Sequence, residues 1–257
     1  MSSEVDLWLL FPDEVRDAAL LHRYRELLTD EERTHEKRFR FGRDQHRFLL
    51  TRVLVRTVLS RYASIAPREW RFAPDPHGRP YITNPDPAAT ALSFNLSHTE
   101  GLILLGVTRG YALGVDAEHI WSRTASAAIA ERYFAPAETQ ALREVPEPLR
   151  NERFFEYWTL KESYIKARGT GLALGLANFS FSLNAAGAIR VSFRPELEDA
   201  PEHWHFWQFN PSPDHVAAVC VRRTQGGTSR LLARKVVPFA NEQPLEIVMS
   251  RQSGELQ

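Results

Sequence analysis

Gly114-Val115-Asp116-Ala117-Glu118, taken together with Trp158-Thr159-Leu160-Lys161-Glu162-Ser163-Tyr164-Ile165-Lys166, decides how this chain is read. The first stretch is a short apolar strand with two carboxylates at spacing two, and the two-residue period puts Asp116 and Glu118 on one face. The second reads as a helix that carries a third carboxylate, Glu162, with Lys166 one turn later on the same side. Alternating acids on an exposed strand commonly mean no more than solvated charge. Here Leu113, Val115 and Ala117 make the opposite face apolar, so the acids crowd one side of a core strand and call for a counter-ion. Glu162 and Lys166 alone could equally be an ordinary salt bridge. Phe154, Phe155, Tyr157, Trp158, Leu160 and Ile165 instead make the helix bulky and rigidly packed, as a catalytic scaffold requires. Three carboxylates and a lysine on rigid elements imply a hard divalent cation and a phosphate-rich substrate.

Working outward, the order of elements repeats. Val5–Phe11 reads as a strand, Pro12–Leu28 as a helix, and Thr29 as the N-cap of a second helix with acids in its first turn. Asp44–Tyr62 is a clear amphipathic helix, with Arg52 and Arg56 off its apolar face. Strands follow at Trp70–Ala73, Pro80–Ile82, Ala91–Leu96 and Leu102–Val107. Tyr111–Glu118 then opens a second half with helices at Ala125–Tyr133, Pro136–Arg143 and Leu149–Arg168. Strands return at Phe179–Leu183, Ala188–Phe193, Trp204–Gln208 and Val216–Val221. The expected fold class is α+β, two similar subdomains packed as a pseudo-dimer: 1–110, 111–222 with the metal motifs, and a C-terminal extension, 223–257, without an assigned role. The seam falls near Gly110, and ligand sites favour such interfaces.

Composition narrows the function classes. The chain has 257 residues, 43% of them hydrophobic, enough for a substantial core. Its 32 basic and 32 acidic residues cancel, which argues against a nucleic-acid or anionic-membrane partner. Between Arg33 and Arg71 eleven Lys or Arg meet only three acids, a cluster suited to an anionic ligand or acidic partner. The single cysteine, Cys220, lies in an apolar run and reads as a buried strand residue. No signal peptide or membrane-length apolar run is seen, so the expected location is the cytoplasm.

Asn95-Leu96-Ser97-His98 ends a strand at a turn. Ser-His adjacency makes no nucleophilic pair, because consecutive strand residues face opposite sides. His98 is either a structural hydrogen-bonder or a phosphate ligand. Arg79, in the Gly78-Arg79-Pro80 turn, is placed where a cation can reach a ligand.

Together these segments resemble the 4'-phosphopantetheinyl transferases, in their larger, monomeric Sfp-type branch, from about Arg33 to Val221. The G-[VI]-D-x-E pattern falls on Gly114–Glu118 and W-[ST]-x-K-E-[SA]-x-x-K on Trp158–Lys166. The Asn95–His98 segment, the Gly78-Arg79-Pro80 turn and the helix with Asp44, His46, Arg47 and Arg56 support it. The resemblance implies transfer of the phosphopantetheine arm of coenzyme A, the co-substrate, to a serine of an apo acyl or peptidyl carrier protein, an acidic helical domain. Adenosine 3',5'-bisphosphate leaves. Asp116, Glu118 and Glu162 would bind Mg²⁺; Glu162 would be the base, directly or through water. Lys166 and His98 would hold phosphate oxygens, and Arg33, Arg38, Arg79 and Ser97 would meet the 3'-phosphate and adenine end. Ala117 stands where the family commonly has a bulky aliphatic, and His119 follows Glu118. Two other readings stand beside it: a Mg²⁺-dependent phosphodiesterase or nuclease, and a non-catalytic homologue that binds coenzyme A or carrier.

Overall fold

Each half of the protein, in a computed structural model that describes residues 3–122, 127–184, 187–223 and 228–254, is a strand followed by helices and a returning antiparallel strand pair. The first half comprises β1 (Ser3–Leu10), α1 (Ala18–Arg25), α2 (Asp30–Glu36), α3 (Gly42–Leu59), β2 (Phe72–Pro74), β3 (Pro80–Ile82), α4 (Pro87–Thr90), β4 (Leu92–Thr99) and β5 (Leu102–Arg109). The second comprises β6 (Leu113–His119), α5 (Ala127–Tyr133), α6 (Pro136–Glu144), α7 (Glu147–Arg168), β7 (Phe179–Leu183), β8 (Ala188–Phe193), β9 (Trp204–Ser212) and β10 (His215–Arg222). β11 (Ser229–Val237), β12 (Asn241–Pro244) and β13 (Met249–Ser253) follow.

The repetition reaches strand order. β1 pairs antiparallel with β5, and β5 with β4. β6 pairs antiparallel with β10, and β10 with β9. The first strand of each half is thus met by its last, with the penultimate strand outside it. The mixed α+β pseudo-dimer read from element order is the fold observed.

Strand alternation assigns the core. Trp8 and Leu10 of β1 face a helical layer with Leu50, Val53 and Leu54 of α3. Leu7 and Leu9 of the same strand face the other sheet and meet Val115 of β6 with Val219 and Val221 of β10. On the far side Val216, Ala218 and Cys220 of β10 pack against Phe155, Leu160 and Tyr164 of α7. The central strands are buried on both faces, giving four layers: helices, sheet, sheet, helices. Cys220 is wholly buried, and burial raises its thiol pKa.

Several local readings need correction. Pro12–Leu28 is not one helix: a single 3-10 turn at Pro12–Glu14 stops, and α1 starts afresh where Asp17 accepts from Leu20 N at 2.7 Å. β4 runs on to Thr99 and β9 to Ser212. Thr29 does cap α2, in a reciprocal capping box with Glu32. Arg56, part of the basic cluster, is buried. Its guanidinium donates to both Glu32 oxygens at 3.0 and 2.9 Å and to Trp70 O at 2.8 Å, so it has an internal role.

The tail is structural. β11 joins the first sheet parallel to β1, and β12 pairs beyond it. β13 inserts into the second sheet between β9 and β8. Arg234 pairs with Asp6 at 2.8 Å, Lys235 with Glu14 at 2.6 Å and Arg251 with Glu156 at 2.5 Å, so one segment ties both sheets together.

His205 of β9 sits buried against Arg223, whose guanidinium donates to its Nδ1 at 2.9 Å. Burial, then the Arg223 charge, pushes its pKa down to about 4. The unfolded chain takes up this proton near pH 6.5 and the folded chain does not until about pH 4, so stability is lost as pH falls through that window. From pH 7 to pH 5, denaturant titrations should show the wild type losing about 2 kcal/mol more than His205→Leu. Equal losses would contradict this.

Candidate active site

β6 and α7 lie unusually close because residue 114 is glycine. A Cβ there would stand 1.9 Å from Ser163 O and 2.5 Å from Ala167 N, inside the backbone of α7. Ser163 is fully buried at this crossing. The contact fixes the face of β6 with Asp116 and Glu118 against the α7 turn with Glu162 and Lys166. α7 then ends at Gly169, whose φ of 67° is the left-handed conformation that closes a helix; its N–H bonds Ile165 O at 3.0 Å.

Asp116 is 5% exposed. Its Oδ1 accepts from Ser97 Oγ at 2.9 Å and from Lys166 Nζ at 2.8 Å, while the buried Oδ2 has no hydrogen-bond partner. Lys166 Nζ also donates to Val115 O at 3.1 Å, so Lys166 pairs across to the strand and not in an ordinary i,i+4 salt bridge with Glu162. Glu162 is half-buried, and desolvation together with the Asp116 charge pushes its pKa up to about 7, with Lys166 opposing. Glu118 is half-buried on the same strand face, and His119 beyond it packs edge-on to His215. Among the described residues, no three acidic, histidine or cysteine side chains close into a ready metal cage.

The halves meet here through side chains. β4 and β6 are the edge strands of their sheets and share no backbone ladder. Asn95, Ser97 and Thr99, at spacing two on β4, instead accept from the N–H groups of Val115, Ala117 and His119 at 2.8, 3.2 and 3.1 Å. Edge N–H groups that would otherwise be orphaned are thereby satisfied. Arg79 closes the same seam from the other side. It donates to Lys166 O at 2.8 Å, Phe94 O at 3.0 Å and Leu113 O at 3.3 Å, joining α7, β4 and β6. Burial lowers its pKa.

A cleft of about 330 Å³ opens along this seam. Its lining includes the charged Glu162, Lys166 and Arg79 and the apolar Phe94, Leu96 and Ile165. His98, exposed at the end of β4, has its pKa lowered by desolvation and by the nearby Arg47, which favours the neutral ring. Asp116, Glu162, Lys166, Ser97, Arg79 and His98 are therefore gathered around one seam. Arg33 is occupied locally: it donates to Leu28 O at 2.7 Å and Arg25 O at 3.2 Å and pairs with Asp30. Arg38 is exposed beyond the end of α2.

Lys161 had no role in the sequence reading. It is fully buried, and its Nζ bonds Glu138 Oε2 at 2.7 Å and the carbonyls of Leu176 and Phe179 at 2.8 Å. Glu138 also accepts from Ala135 N and Phe181 N. This satisfied ion pair pins α6 and β7 to the helix that carries Glu162. A lysine whose helix-face neighbours at three and four residues, Tyr157, Trp158, Tyr164 and Ile165, are all bulky was the available signal.

Comparison with known proteins gives one answer for both halves. Residues 112–220 match the model of the 4'-phosphopantetheinyl transferase superfamily, and residues 17–108 match 4'-phosphopantetheinyl transferase, N-terminal. The chain is 31% identical over 221 residues to 4'-phosphopantetheinyl transferase HetI of Nostoc sp., covering 86% of this chain and 89% of that one. It is 31% identical to 4'-phosphopantetheinyl transferase Sfp of Bacillus subtilis, over 77% of this chain and 84% of that one. With 4'-phosphopantetheinyl transferase ffp of Bacillus subtilis the identity is 33%, over 75% and 81%. The matches cover both halves, and the chain belongs to the 4'-phosphopantetheinyl transferase family.

Proposed function

We propose that this chain transfers the 4'-phosphopantetheine arm of coenzyme A to a serine of an apo acyl or peptidyl carrier protein, releasing adenosine 3',5'-bisphosphate. The observation that carries the reading is the partnerless, buried Oδ2 of Asp116, a carboxylate close enough to Glu162 to raise its pKa, with Glu162 and Lys166 lining the cleft. Family membership favours this over the nuclease and non-catalytic readings.

The donor set suits Mg²⁺, which takes few carboxylates and keeps places for water and phosphate oxygens, so an open arrangement fits better than a closed cage. Asp116, through Oδ2, with Glu118 and Glu162 would hold it. When bound, the cation supplies neutralisation of charge on the transferred and leaving phosphates. Glu162 takes the proton from the carrier serine, whose Oγ attacks the phosphorus bearing the pantetheine; the phosphorus–oxygen bond to the adenosine bisphosphate breaks. Burial beside the Asp116 charge raises the proton affinity of this carboxylate while no cation is bound, and Glu162 would act directly or through a water. Lys166 leans from Asp116 onto the leaving phosphate. Neutral His98 gives a hydrogen bond to a phosphate, and Arg79 faces the coenzyme from the seam. Arg33 and Arg38 are the weaker part of the proposed coenzyme site, since Arg33 is already engaged.

The division into 1–110, 111–222 and 223–257 belongs to this proposal, as do a monomeric state and a cytoplasmic location. Among the described residues no helix is long and apolar enough to cross a membrane. For carrier docking, Tyr133 is 42% exposed, but Phe134 is buried and stacked on Phe154 at 5.2 Å, so it serves the core. Ala125, where the helix ending at Tyr133 was read to begin, lies outside the described residues.

Released adenosine 3',5'-bisphosphate, quantified by chromatography, should match added apo carrier and vanish when the carrier's serine is replaced by alanine. Release that ignores this serine would favour simple phosphodiester hydrolysis. Lys166→Ala should slow release by about 10- to 100-fold, the scale of a lost charge-assisted contact to a transition-state oxygen. An unchanged rate would leave Lys166 a structural partner of Asp116.

A further inference from the structure

Ser97 occupies an unusual position for a coenzyme contact. It is 7% exposed, and its hydroxyl is used twice within the protein: it accepts from Ala117 N at 3.2 Å and donates to Asp116 Oδ1 at 2.9 Å. Lys166 takes the same carboxylate oxygen at 2.8 Å. Oδ1 is therefore held by two donors from two elements, β4 and α7, while Oδ2 is buried without a partner. A buried carboxylate oxygen left bare costs free energy unless something pairs with it. A carboxylate gripped at one oxygen cannot rotate, so its other oxygen points in one direction.

We infer that Ser97 is a positioning residue for the cation and not a ligand of the coenzyme: across the seam between the halves, it fixes Asp116 to offer Oδ2 alone. The inference rests on the transferase reading above, in which Asp116 holds the cation. It also gives the β4 ladder a second role. Asn95 and Thr99 make the neighbouring rungs of the seam, but only the Ser97 rung also ends on a carboxylate. The docking of one half on the other thus sets the geometry of a ligand carried by the second half alone.

Mn²⁺ serves as the probe, titrated into the protein without coenzyme and followed by the loss of its free-ion electron paramagnetic resonance signal. Coenzyme A binding is measured separately by calorimetry with EDTA present. Outer-shell partners of metal ligands are typically worth 10- to 100-fold in affinity, so Ser97→Ala should bind Mn²⁺ at least about tenfold more weakly. Coenzyme A affinity should stay within about twofold, a change too small for a lost phosphate contact. Ser97→Thr, which keeps the hydroxyl, should restore Mn²⁺ binding. Asn95→Ala removes a seam rung that touches no carboxylate and should leave Mn²⁺ affinity near wild type. Weakened coenzyme binding with unchanged Mn²⁺ affinity would overturn the inference, as would equal Mn²⁺ losses in Ser97→Ala and Asn95→Ala. Wild-type protein that binds no Mn²⁺ would overturn the cation reading as well, which separates the two failures. Thermal melts of all variants guard against loss of fold.

Discussion

Asp116→Ala should lower phosphopantetheine transfer by at least about a thousandfold, close to 4 kcal/mol of transition-state stabilisation, while the protein stays folded. The substitution removes the Oδ2 offered to the cation and the Oδ1 that organises Lys166 and Ser97. Without the carboxylate, the pKa of Glu162 also loses one of the two causes that raise it. The fold should survive because neither partner is stranded. Lys166 keeps Val115 O at 3.1 Å and reaches solvent, its side chain being 26% exposed, and Ser97 keeps Ala117 N. Circular dichroism and a thermal melt beside the transfer assay would check both halves of this statement. Activity within tenfold of wild type would remove Asp116 from the site.

Gly114→Ala should be the most damaging single methyl group that can be added near this site. The new Cβ would fall 1.9 Å from Ser163 O and 2.5 Å from Ala167 N, and both are backbone atoms of a long helix packed into the core. No side chain can swing aside, so α7 must move away from β6 as a body. Overpacking in a close-packed interior costs about 1–3 kcal/mol when side chains can adjust, and here they cannot, so about 3 kcal/mol or more is expected. In a protein of this size that lowers the melting temperature by roughly 6–12 °C. Gly106→Ala is the informative contrast. Its Cβ would meet Val115 Cγ1 at 2.7 Å and Leu113 Cδ2 at 3.1 Å, side-chain atoms that can shift, so its loss should be smaller. A Gly114→Ala protein that melts with the wild type would show that the close crossing of β6 and α7 is wrong.

The carboxylate pair and the helix after it were legible because their information is local. Period two on a strand and period 3.6 on a helix state which side chains share a face, and Asp116, Glu118, Glu162 and Lys166 needed little more. Gly114 was visible as part of the motif, but its reason was not: only the crossing with Ser163 explains why a side chain is excluded. The structural partner of Lys166 was hidden for the same kind of reason. The local rule pairs it with Glu162, whereas the tertiary contact with Asp116, fifty positions away, prevails.

Other losses share that cause. Arg56 reads as a surface cation until Glu32 and Trp70 close over it from other elements. Arg79 reads as a free cation in a turn until three carbonyls from α7, β4 and β6 surround it. The tail, 223–257, carries no role in the sequence alone, yet β11 pairs with β1 from the opposite end of the chain, which no periodicity announces. The break before α1 was different: Asp17, its N-cap, stood in the sequence, and only the apolar pattern around it hid the stop. Long-range partners, more than propensity, separate the readable part of this molecule from the rest.

The most direct measurement is the intact mass of an apo carrier protein after incubation with this protein, coenzyme A and Mg²⁺. A gain of one phosphopantetheinyl group, located on the carrier's serine by peptide mapping and absent with the Asp116→Ala protein, is the predicted result. Unchanged mass across acyl and peptidyl carriers, with folded protein and intact coenzyme A, would contradict the account.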